Sequence, residues 1–259
     1  MEQWTFTESL EEAAAFGTLG MPIRVMRTFC ARRERERCKF GLGLINLEGT
    51  EKTKKLQRQI RNGDLLARDP AHPYLTIQRA FNNREKLLAY LHRGIGIALH
   101  PEDRAPHLHT YRHTPGEATL PGIKKGDILI RTGDIKLAAA LGVIGCRLLA
   151  IEGSHGQHKF SIDPRGCTLP GHGPIDAPAL MHAWRNDPES IPWAHPFAQA
   201  MRGLYNRERM LDAVRRANLR VTILAKDGHL TGQSAVVTAD ARGNISDKAM
   251  DKVQDFFGS

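Results

Sequence analysis

The stretch "RTGDIKLAAALGVIGCRLLAIEGSHGQHKFSID", residues 131–163, decides the fold class of this chain. Asp134 is a favoured N-cap residue for the helix that follows it, and Gly145 stands where a left-handed residue ends a helix. Next come "CRLLAIEG" and "HKFSID", two alternating runs that predict strands joined by a tight turn. A capped helix followed by paired strands predicts a sheet flanked by helices.

The chain beyond this segment continues the same pattern. "FAQAMRGLYNRERMLDAVRRA" has its apolar residues at helical spacing and predicts a long amphipathic helix. "RVTILAKDGHLTGQSAVVTAD" contains Asp-Gly at 227–228, which is a strong signal for a hairpin turn. We therefore expect residues 127–259 to form an α+β domain with a mainly antiparallel sheet.

The chain before the segment predicts a basic, helix-rich domain over residues 1–99. "CARRERERC" favours helix by propensity, whereas the preceding "IRVMRTF" suits either strand or helix. "FGLGLINLEG" is rich in glycine and predicts a turn or loop. "TEKTKKLQRQIRNG" predicts a short basic helix that ends at its glycine.

Residues 100–126 separate the two predicted domains. This stretch contains four prolines and three glycines and has almost no aliphatic periodicity. Such composition is typical of a linker or a long surface loop. The predicted fold class is therefore α+β in two domains, 1–99 and 127–259, joined by this segment.

Composition indicates a soluble globular protein, since 41% of the residues are hydrophobic and 25% are charged. No run approaches the roughly 20 apolar residues that a membrane helix needs. The start of the chain is acidic and does not have the pattern of a secretory signal. Four cysteines are too few for a disulfide scaffold, so we expect a cytoplasmic protein with reduced thiols.

The net charge of +9 is concentrated in two windows. Residues 21–62 carry twelve Lys or Arg and four acids, and residues 195–220 carry six Arg and two acids. Clustered basic residues on a nearly neutral body are typical of a protein that binds a polyanion. We therefore predict a non-enzymatic nucleic-acid-binding protein whose phosphate contacts come from Arg32, Arg33, Arg35, Arg37, Lys54, Lys55, Arg58, Arg215 and Arg216. An adaptor whose basic face meets an acidic protein is the alternative without nucleic acid.

Residues 131–163 also resemble a family of short uncharacterised domains from bacteria, phages and plasmids. Its pattern is Thr-x-Asp, an "LAAAL"-type helix, a Gly, and two strands that end in Phe and an acidic residue. The matching positions are Thr132, Asp134, Leu137, Ala138, Ala139, Leu141, Gly145, Leu149, Phe160 and Asp163. A later helix starting near "HPFAQAMRGL" also suits the family, and with it the resemblance covers about a third of the chain. It implies a setting among phage and mobile-element genes, often near replication functions, with protein partners from such a system.

The histidines of "PHLHTYRHTPG" raise a metal-dependent alternative. On a strand, His107 and His109 would project from one face and could bind a divalent metal, with His113 nearby. With Tyr205 as nucleophile, they would suit an enzyme that cleaves or transfers single-stranded DNA. The prolines around the pair make a poor strand, so loop histidines without a metal are the preferred interpretation. No cofactor is expected, and no GxSxG elbow, P-loop or dinucleotide fingerprint occurs.

Overall fold

The computed structural model of the chain describes residues 3–30, 35–44, 47–92, 97–98, 109–110, 129–152, 158–165, 167–169, 173–217, 219–224, 230–237 and 246. Helices and strands are mixed along these residues, and the fold class is α+β, as predicted. The described helices are α1 (Leu10–Thr18), α2 (Leu47–Arg61), α3 (Asp64–Arg68), α4 (Pro73–His92), α5 (Ile135–Val143), α6 (Ala177–Asn186) and α7 (Pro196–Arg216).

The described strands form two five-stranded sheets and one short two-stranded ribbon. The strands are β1 (Gln3–Thr7), β2 (Ile23–Cys30), β3 (Arg35–Leu44), β4 (Ile97–Ala98), β5 (His109–Thr110), β6 (Ile130–Thr132), β7 (Arg147–Glu152), β8 (Lys159–Asp163), β9 (Thr168–Leu169), β10 (Gly173–Pro174), β11 (Leu219–Leu224) and β12 (Leu230–Val237).

The chain divides into two compact units that differ from the predicted domains. Residues 1–70 and 205–259 form the first unit, and residues 71–204 form the second. The reason is a long-range strand pairing, because residues 27–29 of β2 pair in parallel with residues 219–221 of β11. The predicted linker, residues 100–126, lies outside the described residues except for the two residues of β5.

The first unit is built on the sheet β1-β3-β2-β11-β12. Among its described strand pairs, β2–β11 is parallel and the others are antiparallel. Residues alternate between the two faces of a strand, and Phe40 and Leu42 of β3 are buried on the face that packs against helices. Helix α1 contributes the apolar run Ala13–Phe16 to this core.

Helices α1, α2 and α7 are tied together on the core face of this sheet by hydrogen bonds. The Gln57 amide of α2 donates to Glu12 of α1 at 3.2 Å and accepts from the Thr5 hydroxyl of β1 at 3.2 Å. The Asn206 amide of α7 donates to the Ala14 carbonyl oxygen at 2.8 Å. One face of the sheet is therefore committed to internal packing.

The second unit contains the antiparallel sheet β5-β4-β7-β8-β6 with α5 between β6 and β7. Asp134 caps α5, since its carboxylate accepts from the backbone N–H groups of Lys136 and Leu137. Helix α4 packs on α5, where the Asn83 amide donates to the Ala139 carbonyl oxygen at 3.2 Å. The segment that predicted the fold class is thus the centre of this unit.

Two local predictions in the first forty-four residues are wrong. The arginine-rich "CARRERERC" favoured helix, but β2 runs to Cys30 and β3 begins at Arg35. "FGLGL" was predicted as a loop, but it forms the second half of β3 and pairs with both β1 and β2. Cross-strand pairing overrides local propensity here, because a central strand is stabilised by neighbours that are distant in sequence.

No helix of the described residues is long and apolar enough to span a membrane.

Candidate nucleic-acid interface

The first sheet has a second face, opposite to the one that packs on α1 and α2, which we call the outer face. Its residues alternate with Thr5, Thr7, Phe40 and Leu42, which point to the core. The described side chains of the outer face are Trp4, Phe6, Arg24, Met26 and Lys39.

Two aromatic rings of β1 lie across glycines of β3. Phe6 pairs with Gly41 and Trp4 pairs with Gly43. A Cβ atom added to Gly41 would lie 3.1 Å from Trp4 Cε3 and 3.4 Å from Phe6 Cε1. A side chain at this position would therefore push the Trp4 ring away from the sheet, whereas glycine lets the rings lie close to it. Phe6 remains 51% exposed in this position.

Two cations stand beside these rings on the outer face. Arg24 of β2 pairs with Gly41 on the side opposite to Phe6, and Lys39 of β3 pairs with Met26. Both side chains are exposed. Neither has a carboxylate within ion-pair distance among the described residues.

A shallow depression of about 490 Å³ opens between the edge strand β1 and the middle of the sheet. Phe6, Thr7, Met26 and Lys39 line it from the sheet, Glu8 lines it from the residue after β1, and Arg61 lines it from the end of α2. Arg61 is 59% exposed and lies 4.0 Å from Glu12. A third cation therefore reaches the rim of the outer face.

The register of the sheet also locates the arginines that the sequence singled out in β3. Arg37 pairs with Thr28 and Arg35 pairs with Cys30. Thr28 also pairs with Arg220 of β11, the strand on the other side of β2. Arg32 and Arg33 lie outside the described residues.

The predicted basic residues of α2 differ in their exposure and in whether a carboxylate lies near them. Lys54 is half-buried and lies 3.8 Å from Glu51, so part of its charge is compensated. Lys55 and Arg58 are exposed on the same helix. They supply positive charge to the first unit, at a helix rather than on the outer face.

Arg215 and Arg216 occupy the last turn of α7 and are both exposed. Arg215 lies 3.3 Å from Asp212. Cations near the C-terminus of a helix interact favourably with the negative end of the helix dipole. The two arginines therefore have a helix-stabilising role that needs no ligand.

The residues of the metal-dependent alternative are not brought together by any described contact. Tyr205 is 41% exposed on α7 and belongs to the first unit, whereas His109 forms the short strand β5 in the second. His107 and His113 lie outside the described residues. Among the residues that the structure describes, no group of three metal-ligating side chains occurs.

Among the described residues of the second unit, a cluster of charged side chains is centred on Asp163. Asp163 is fully buried, and its carboxylate accepts from Arg147 Nη2 at 2.8 Å and from Arg165 Nε and backbone N, each at 2.9 Å. Burial raises the pKa of Asp163, but these hydrogen bonds outweigh it and lower the pKa to about 2. Here the arginines hold a carboxylate of the chain itself.

A disulfide between Cys146 and Cys167 lies beside this cluster. It corrects the expectation of reduced thiols for these two cysteines. Cys146 precedes Arg147, and Cys167 follows Arg165 by two positions. The covalent bond and the ion pairs therefore fasten the same two segments together.

The residues that sequence reasoning missed are the aromatic ones. Trp4 and Phe6 alternate with threonines in "WTFT", and Gly41 and Gly43 alternate with leucine in "GLGL". Both patterns have the period of a strand. The alternation could have indicated strands, but which strand lies beside which is not a local property.

Comparisons of the chain with protein-family models, with curated proteins and with solved structures gave no match. The resemblance of residues 131–163 to short phage and plasmid domains therefore stays a prediction.

Proposed function

We propose that this protein binds nucleic acid through the outer face of its first sheet and acts as a non-enzymatic accessory protein of a phage-like or mobile element. The observation that carries the proposal is the combination of Arg24 and Lys39, exposed and without a described acidic partner, with the exposed ring of Phe6. The resemblance of residues 131–163 supports the mobile-element setting.

Charge supports nucleic acid as the class of ligand. Phosphates attract Lys and Arg, and each contact releases condensed counterions, so binding is strongest at low salt. Arg35 and Arg37 precede Lys39 at alternate positions of β3, so the sequence of this strand adds further positive charge to the first unit.

The direct test is an anisotropy titration of labelled single-stranded DNA, duplex DNA and RNA at about 50 mM salt, where phosphate contacts are only weakly screened. We expect binding of at least one of them. Each phosphate contact should add about −0.9 on duplex DNA, or −0.7 on a single strand, to the slope of log affinity against log salt.

The variant Arg24→Glu/Lys39→Glu should lower the affinity by about tenfold or more, because it removes two charged contacts. Its matched control is Lys86→Glu/Arg185→Glu, which makes the same change in net charge at exposed helix positions of the second unit. Equal losses in the two variants would mean that only net charge matters. Absence of binding to all three nucleic acids would end the proposal in favour of an adaptor for an acidic protein.

A further inference from the structure

We infer that the outer face selects single-stranded nucleic acid, with an unpaired base stacked on Phe6 and the adjoining phosphates held by Arg24 and Lys39. This inference rests on the proposed function and adds the class of substrate and the way it is recognised. The same chemistry serves single-stranded DNA and RNA, so both are arms of the test.

The two aromatic rings of the site rest on the backbone of the sheet. Gly41 and Gly43 present no side chain under Phe6 and Trp4, and the rings lie within van der Waals distance of these positions. Phe6 keeps half of its surface exposed, whereas Trp4 is partly covered. Phe6 therefore offers a ring that a base can cover, and Trp4 supports it on the same strand.

The cations are spaced so that a stacked nucleotide can reach them. Phe6, Gly41 and Arg24 form one row across three neighbouring strands, so Phe6 and Arg24 are separated by about 10 Å at the backbone. The rings of Trp4 and Phe6 cover Gly41 in the middle of the row. A base stacked on the exposed surface of Phe6 thus has its sugar and phosphate above these rings, on the side of Arg24 and Lys39.

A duplex cannot use this arrangement fully. Its bases are stacked on one another, so a ring on a sheet surface meets phosphates and sugars rather than a base face. A duplex would gain only the contacts of the cations. A single strand gains these contacts and the stacking, which tolerates any base because every base has a π-face.

Two other occupants fit the outer face less well. An acidic peptide would satisfy Arg24 and Lys39 but would leave the exposed surface of Phe6 without a planar partner. A second copy of the chain would bring cations against cations on this face, which is unfavourable. Unpaired nucleotides match both the charge and the rings.

The experiment uses the full chain with Trp4 as its single tryptophan, made by replacing Trp184 and Trp193 with Phe. Oligo-dT and oligo-U of about twelve residues, a self-complementary DNA duplex of about twelve base pairs and an abasic DNA strand are titrated at about 50 mM salt. We expect quenching of Trp4 fluorescence by the two oligonucleotides and about tenfold weaker binding of the duplex and the abasic strand.

The key variants separate stacking from apolar contact. Phe6→Leu keeps an apolar side chain without a ring and should weaken oligo-dT binding by about tenfold, whereas Phe6→Tyr should retain it. Neither of the two Phe6 variants should change the affinity for the abasic strand. Leu66→Ala is the control, since Leu66 is another exposed apolar residue of the first unit, 56% exposed on α3.

The outcomes distinguish this inference from the proposed function. Equal binding of duplex, abasic strand and oligo-dT, with no effect of Phe6→Leu, would overturn the inference and leave nucleic-acid binding intact. A dimer in sedimentation that Phe6→Leu dissociates would assign the outer face to a second copy and also overturn it. No binding to any nucleic acid would remove both.

Discussion

The outer face of the first sheet and the Asp163 cluster of the second unit use arginine in opposite ways. In the cluster, Arg147 and Arg165 donate to a carboxylate that is 0% exposed. On the outer face, Arg24 has no described acidic partner and lies beside an exposed phenylalanine.

This difference separates charge that stabilises the fold from charge that is available to a ligand. A buried carboxylate needs partners, because an unpaired charge away from water costs several kcal/mol. Exposed cations keep their hydration and contribute little to stability. Net charge alone, +9 for the chain, does not distinguish these two uses.

The largest effect that would sharpen the comparison is the loss of the Cys146–Cys167 disulfide. Its cysteines are 21 positions apart, and closing a loop of that size stabilises a fold by roughly 3 to 4 kcal/mol through the unfolded chain. We expect dithiothreitol to lower the free energy of unfolding of the second unit by about this amount. Urea unfolding followed by Trp184 and Trp193 fluorescence in a Trp4→Phe background would measure it.

Cys146→Ser/Cys167→Ser is the control for the reductant itself. This variant should unfold at the lower urea concentration with and without dithiothreitol. If the reductant has the same effect on this variant as on the parent, the disulfide is not the source of the stability.

The next effect is the pH dependence that Asp163 confers. The pKa of its carboxyl group is 3.8 in the reference state and about 2 in the fold. A lowered pKa stabilises the fold above the unfolded value, and this stability is lost as the pH falls through about 2. We expect about 2 kcal/mol of acid-labile stability from this group. Urea unfolding of the Trp4→Phe protein between pH 5 and pH 2 would show it.

Asp163→Asn should remove this part of the pH dependence, because the amide does not titrate. Asp187→Asn, a change at an exposed aspartate of the same unit, should leave it in place. An unchanged pH profile in Asp163→Asn would break the contrast between the two regions.

The smallest effect concerns the outer face. Arg24→Gln/Lys39→Gln should change the free energy of unfolding by less than about 0.5 kcal/mol, because exposed cations without partners contribute little. Chemical unfolding followed by Trp4 alone would measure this for the first unit. A loss as large as that at Asp163 would mean that these cations hold the fold together and are not reserved for a ligand.

Local signals in the sequence were sufficient for the core of the second unit. Asp134 was predicted as an N-cap and accepts two backbone N–H groups. Gly145 was predicted as the left-handed residue after the helix and has φ of 88°. These features are set by neighbours within four positions, so the sequence pattern contains them.

In the first unit, helix α1 separates what neighbouring residues determine from what long-range packing determines. Ser9 caps α1, since the backbone N–H of Glu12, three positions later, donates to its hydroxyl. The carboxylate of Glu12 instead accepts from Thr7 and Gln57, the second of which is 45 positions away. The start of the helix is a local property, but the use of its polar groups depends on the packing.

What the sequence by itself determined is the α+β class, the capped helix α5 with strands β7 and β8, and the concentration of charge near the start of the chain. What only the tertiary structure decided is the outer face, where Phe6, Gly41 and Arg24 meet from three strands. The physical reason is that alternation along a strand is local, whereas the choice of neighbouring strand depends on contacts across the whole sheet.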